Sequence, residues 1–149
     1  MTDAPTGKSK TQQNYNPAPY VGTAIIHKEL VLLGKRIEVC PRTNQKVSYG
    51  GWWSIFCGAV ESNEAHYMAA RREVFEETGF DLDKKKFIHI GLVGDLRLFV
   101  YELDELAIPP LDYEHTEAGW FSIKHLQVSP SPTDEAIARK IQDYKNGVI

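Results

Sequence analysis

Residues 58–80 read GAVESNEAHYMAARREVFEETGF, and the end of that stretch gathers Glu73, Glu76 and Glu77 within five residues. Like charges repel, so a fold that crowds them sets them either against solvent or around a cation. The segment reads as a helix from Ala65 to Thr78, stopped by Gly79, the residue best suited to a left-handed C-terminal cap. At 100° per residue the three glutamates share one face through i, i+3 and i+4 spacing, with Arg72 beside Glu76. Tyr67, Val74 and Thr78 fall on another face and are expected toward the core. Each like-charge pair costs only about 0.2–0.5 kcal/mol, so stability alone does not forbid a plain acidic face. Three carboxylates, with backbone carbonyls from Gly58 and the ESN turn nearby, are hard oxygen donors. Such donors suit Mg²⁺ or Mn²⁺ and not a soft metal.

The rest of the chain can bury such a helix. Tyr20 to Ile26 reads as a strand, and Leu30 to Leu33, in the run LVLLGKR, as its hairpin partner. Residues 40–51 are expected to form a loop, and Trp52 to Cys57 a single further strand. Phe87 to Val93 and Leu96 to Glu102 read as two strands around Gly94-Asp95. Residues 107–118, AIPPLDYEHTEA, read as a loop, followed by a short strand from Gly119 to Ile123. Ser131 is a candidate N-cap for a last helix, with Pro132 at its first position and Gly147 beyond its end. The order is strands, helix, strands, helix, which is a mixed α/β domain. One domain is expected over residues 19–149, preceded by a polar, flexible tail over residues 1–18.

Composition narrows the partners. The chain of 149 residues carries a formal net charge of −3, so no global positive field draws nucleic acid or an anionic membrane. An anionic substrate therefore needs a local cation, from a metal or from a few Arg and Lys side chains. No apolar run approaches the roughly 20 residues of a membrane span. Cys40 and Cys57 fit no zinc spacing and read as reduced thiols of a cytoplasmic protein.

The full spacing is more specific than the acidic cluster. Gly58 is followed after five residues by Glu64 and after seven more by Arg72-Glu73-Val74-Phe75-Glu76-Glu77-Thr78-Gly79-Phe80. This resembles the Nudix box, G-x5-E-x7-R-E-U-x-E-E-x-G-U with U bulky and apolar, at every specified position. A chance match in a chain this long is on the order of 10⁻⁷ or rarer. The resemblance implies a Nudix-type α/β/α sandwich, with a mixed β-sheet between the box helix and a C-terminal helix. It implies divalent-metal-dependent hydrolysis of a pyrophosphate bond in a nucleotide or nucleoside-diphosphate-linked substrate. By the same resemblance Glu73, Glu76 and Glu77 match metal-binding glutamates. Arg72 matches the arginine that orients them by pairing with Glu64, and Cys57 offers its backbone carbonyl to the metal. Two departures stand out. Cys57 replaces a common Gly, and Asn63 replaces another; Asn tolerates positive φ better than most residues.

The base and the substrate contacts lie outside the box. Glu117 is the leading candidate for a further metal ligand or general base, and Glu114 the second, with His115 between them. Arg36, Arg42 and Lys46 flank the 40–51 loop and could meet phosphates. Trp53 and Tyr113 are candidates for stacking on a base. The proline that the family's ADP-ribose hydrolases tend to carry past the box is not evident, nor is the tyrosine of its dinucleoside-polyphosphate hydrolases. The alternatives are a catalytically silent nucleotide-binding module and an RNA 5′-end pyrophosphohydrolase; the acidic balance disfavours nucleic acid as a partner. A homodimer is compatible with the family.

Overall fold

The computed structural model describes residues 18–110 and 114–149. Among the described residues seven strands form one mixed sheet: β1 (Tyr20–His27), β2 (Leu30–Arg36), β3 (Trp53–Ser54), β4 (Phe56–Ala59), β5 (Ile88–Val93), β6 (Leu96–Glu102) and β7 (His115–Ser122). Helix α1 (His66–Thr78) follows β4, and α2 (Pro132–Lys145) follows β7. The main path through the sheet is β3-β2-β1-β6-β5, with β4 on β1 and β7 on β2. β1 and β6 run parallel, and the other pairs are antiparallel.

Alternate side chains of a strand point to opposite faces of its sheet. In β1, Val21 and Ile25 meet the α1 layer, while Ala24 and Ile26 meet the α2 layer. The same parity divides β6, with Phe99 and Tyr101 on one side and Leu98 and Val100 on the other. Both faces are covered, so these strands are continuous apolar runs without polar alternation. Val74 anchors α1 on its layer, and Ile137 and Ile141 anchor α2 on the other. The expected α/β sandwich with a box helix and a C-terminal helix is therefore the fold.

Four local expectations change. Trp52 to Cys57 is two strands, not one: Ser54 pairs with Gly34 of β2, but Cys57 pairs with Gly22 of β1. The segment switches partners at Ile55, which no residue pattern encodes. The last strand begins at His115, four residues before Gly119, because β2 supplies a partner along that whole length. Its charged start hides the strand in the sequence. Residues 40–51 are more ordered than a plain loop, with a Val39–Lys46 bridge and a Val47 N–H to Glu38 carbonyl bond of 3.0 Å. Tyr67 is exposed; the buried residues at that end of α1 are the small Ala69 and Ala70.

Residues 1–17 of the expected tail lie outside the described residues. Ala18 is buried, and its carbonyl accepts a 2.9 Å bond from His66 Nε2 at the start of α1. Among the described residues no helix is long and apolar enough to cross a membrane.

Candidate active site

Helix α1 ends at Gly79, which stands at φ 78° and donates its N–H to the Phe75 carbonyl. The left-handed cap expected from the sequence is thus in place, and it fixes where the last turn sets its glutamates. Before the helix, Asn63 stands at φ 63°, the conformation that made Asn a sensible substitute for Gly.

Arg72 organises the acidic face. Its Nε donates to Glu64 Oε2 at 2.8 Å and its Nη2 to Glu64 Oε1 at 3.0 Å, a two-point grip. Nη1 donates to Glu73 at 2.9 Å and to Glu76 at 3.2 Å, and Nη2 also reaches the Ala59 carbonyl at 2.9 Å. One guanidinium therefore ties the turn before α1, the helix itself and the end of β4. The Arg72–Glu64 pairing expected from the resemblance is present. Glu64 also accepts the Glu61 N–H, closing that turn.

The Arg72 hydrogen bond holds the Glu64 carboxyl below the usual value of 4.5. A group with a lowered folded pKa stabilises the fold at pH above its unfolded value and loses that effect as pH falls through the folded value. Glu64→Gln is therefore expected to be less stable than the parent at pH 7. The gap should close as pH drops below about 4.5. Denaturant melts at pH 7 and pH 3.5 check this; a gap of equal size at both would remove the charge from the explanation.

The three box glutamates differ in exposure. The Glu73 side chain is 15% exposed and that of Glu76 54%, while residue Glu77 is 4% exposed. Glu73 lies directly over Gly58: a Cβ there would overlap its carboxylate. The first glycine of the box is thus a space requirement. Gly58→Ala should displace Glu73 from Arg72, cost about 1–2 kcal/mol of stability and lower turnover far more than it lowers the melting temperature. Activity and melting measured together check it; wild-type turnover would show that Glu73 keeps its place by another route.

Glu77 lines a cavity of about 230 Å³ together with Arg36, Ser54, Cys57, Glu114 and His115. Ile37, Cys40, Val47 and Ile55 complete its wall. The His115 ring packs against Phe56 at 5.2 Å and over Gly34, where a Cβ would come within 2.7 Å of it. Burial, then the charge of Glu77, pushes the Cys57 thiol up to about 12, against the opposing pull of Arg36. That thiol stays protonated and unreactive.

The sequence candidates divide into two groups. Arg36, Cys57 and Glu77 meet at the cavity, and Arg72, Glu73 and Glu76 form a separate charged cluster on α1. Glu117 is not among the cavity residues: it lies opposite Lys35 on β2, pairs with it at 3.6 Å and is 58% exposed. Arg42 is exposed near the tip of the 40–51 segment. Trp53 is half-buried against Phe121 at 4.8 Å, and Trp52 is the exposed one of the pair. Tyr113 lies outside the described residues. Sequence reasoning gave no role to Ser54, which has no motif around it. Glu114, ranked second, lines the cavity, and Glu117 does not.

The donors fit a hard divalent cation. Glu73, Glu76 and Glu77 supply carboxylate oxygens, and Gly58, lacking a Cβ, leaves the room that the Glu73 carboxylate fills. Among the described residues no three acidic, histidine or cysteine side chains converge on one point as they stand. Glu73 and Glu76 are turned onto Arg72 instead.

A NUDIX domain profile matches residues 17–144. The oxidized purine nucleoside triphosphate hydrolase of Danio rerio is 28% identical over 93 residues, 58% of this chain and 60% of that protein. The RNA pyrophosphohydrolase of Bartonella henselae is 36% identical over 70 residues, 44% of this chain and 39% of that one. The chain thus spans between about a third and three fifths of the length of the curated relatives it matches. In structure it resembles a Caenorhabditis elegans Ap4A hydrolase with a TM-score of 0.63 at 19% identity, over 86% of this chain and 98% of that one. The complete box, the sandwich and the match over most of its length agree: the chain belongs to the Nudix family, and these relatives are named as hydrolases.

Proposed function

We propose that this protein hydrolyses a pyrophosphate bond in a nucleotide or a nucleoside-diphosphate-linked substrate, with Mg²⁺ or Mn²⁺. The observation that carries this reading is the meeting of two charge sets. Glu77 of α1 and Arg36 of β2 line one cavity, and the Glu73 and Glu76 carboxylates lie on the same helix, gathered on Arg72.

Pyrophosphate resists attack because its own negative charge repels a nucleophile. A bound divalent cation supplies charge neutralisation and a more acidic water. Glu73, Glu76, Glu77 and the Cys57 carbonyl are its ligands in this reading. Arg72 keeps the glutamates in register and lends them a counter-charge. Arg36 binds substrate phosphate. Glu114, at the cavity wall, is better placed than Glu117 to accept a proton there.

Glu114→Ala is accordingly expected to cost about 100-fold in turnover, and Glu117→Ala little. The reverse order would return the base to Glu117. The decisive assay is phosphate release through a coupled phosphatase, with and without metal. Its panel holds nucleoside triphosphates, oxidised nucleotides, ADP-ribose, nucleotide sugars, dinucleoside polyphosphates and RNA with 5′ phosphates or caps. A metal-dependent hit names the substrate class. Nucleotide binding without turnover would instead favour a silent regulatory module. An RNA 5′ end is the second reading, favoured by the bacterial relative's name and opposed by the net charge of −3.

A further inference from the structure

Arg36 is held from three directions. Its Nε donates to Ser54 Oγ on β3 at 3.2 Å, and its Nη1 to the Ser48 carbonyl at 3.3 Å. Its Nη2 faces Asp134 Oδ1 at 3.7 Å, in the first turn of α2. Asp134 is buried, and its other carboxylate oxygen accepts a hydrogen bond from Ser129 Oγ, itself fully buried. The same hydroxyl accepts the Ser131 N–H at 3.3 Å, which fixes the entry to α2. Ser131 itself caps nothing with its side chain. A buried carboxylate needs a counter-charge, and Arg36 is the cation that the structure pairs with it.

Arg36 in turn lines the cavity beside Glu77. A guanidinium that already has fixed partners loses less freedom when it takes a phosphate. We infer that Asp134, oriented by Ser129, is a positioning residue: it holds Arg36 in the cavity in the pose that receives substrate phosphate. This rests on the assignment of Arg36 as a phosphate contact. It gives α2, on the opposite face of the sheet from α1, a part in substrate affinity.

Two readouts on the 149-residue chain test it. The first needs no substrate. The Arg36 Nε–H resonance, assigned by its loss in Arg36→Lys, should be sharp in the parent and broadened or shifted in Asp134→Ala. Asp134→Asn keeps the side-chain shape if the alanine variant fails to fold. The second is calorimetric affinity for the non-hydrolysable diphosphate α,β-methylene-ADP with Mg²⁺. It should weaken about tenfold in Asp134→Asn, yet change less than twofold when the same substitution is made in Arg36→Ala. An unchanged resonance overturns the inference. So does an affinity loss that is equal in both backgrounds, because that is general damage and not action through Arg36. If the parent binds no diphosphate and cleaves nothing in the panel, the hydrolase reading fails, while the resonance still decides whether Asp134 positions Arg36.

Discussion

Glutamine at Glu77 is expected to leave the fold intact and to cut turnover by at least about 100-fold. Gln matches Glu in shape, so the cavity keeps its walls. What disappears is a negative oxygen donor that is nearly sealed from solvent, with the residue 4% exposed. An ionised carboxylate is costly to bury. Its loss should therefore leave the melting temperature unchanged or raise it, the usual trade between stability and function at an active site. Glu76→Gln should lose turnover similarly, without a stability gain, since its side chain is 54% exposed. Turnover against the best substrate at saturating Mg²⁺, beside a thermal melt, checks both. Near-parental rates in both variants would dismantle the metal-ligand assignment.

Arg72→Ala is expected to be the most destabilising single change on this face, by about 2–3 kcal/mol. Removing one partner of a buried ion pair costs about 3–5 kcal/mol; here Glu64 and Glu73 keep 16% and 15% of their side-chain surface, which lowers the figure. For a domain of this size that corresponds to a fall in melting temperature of about 5–10 °C. The variant also strands Glu64, Glu73 and Glu76 without their shared cation. Mg²⁺ should then raise the melting temperature of the variant by more than it raises that of the parent, since only the parent already holds a counter-charge. Equal metal effects in the two proteins would mean that the ion does not sit among these carboxylates.

The chemistry of the box was legible because it is local. Glu64 and Arg72 meet across a turn and two turns of helix, and Gly79 caps the helix that carries them. Spacing in the chain is enough to place such residues. The sandwich was legible too, because β1 and β6 are apolar on both faces. The cavity was less so. Arg36 and Ser54 come from β2 and β3, Glu114 from the turn before β7, and Asp134, which pairs with Arg36, from α2, and no spacing links them. Glu114 and Glu117 look alike in sequence. They part company in the fold: Glu117 lies within β7 and pairs with Lys35, while Glu114 stands just before the strand and lines the cavity. The break at Ile55 was hidden for a similar reason: a strand that changes partner carries the same residues as one that does not.

The parallel pairing of β1 with β6 has a kinetic side. Tyr20 meets Leu96 and Ile26 meets Glu102, so the middle of the sheet closes only when residues 76 positions apart are joined. Everything from Gly58 to Phe80 lies inside that crossover. Long-range pairing is slow to form because the chain must first lose its freedom. On a ribosome β1 and β2 can associate early, yet α1 has no finished floor to rest on until β6 emerges. The glutamates therefore gain their support only when β6 closes on β1, and the cavity beside Glu77 is complete only when β7 then joins β2 and brings Glu114 and His115.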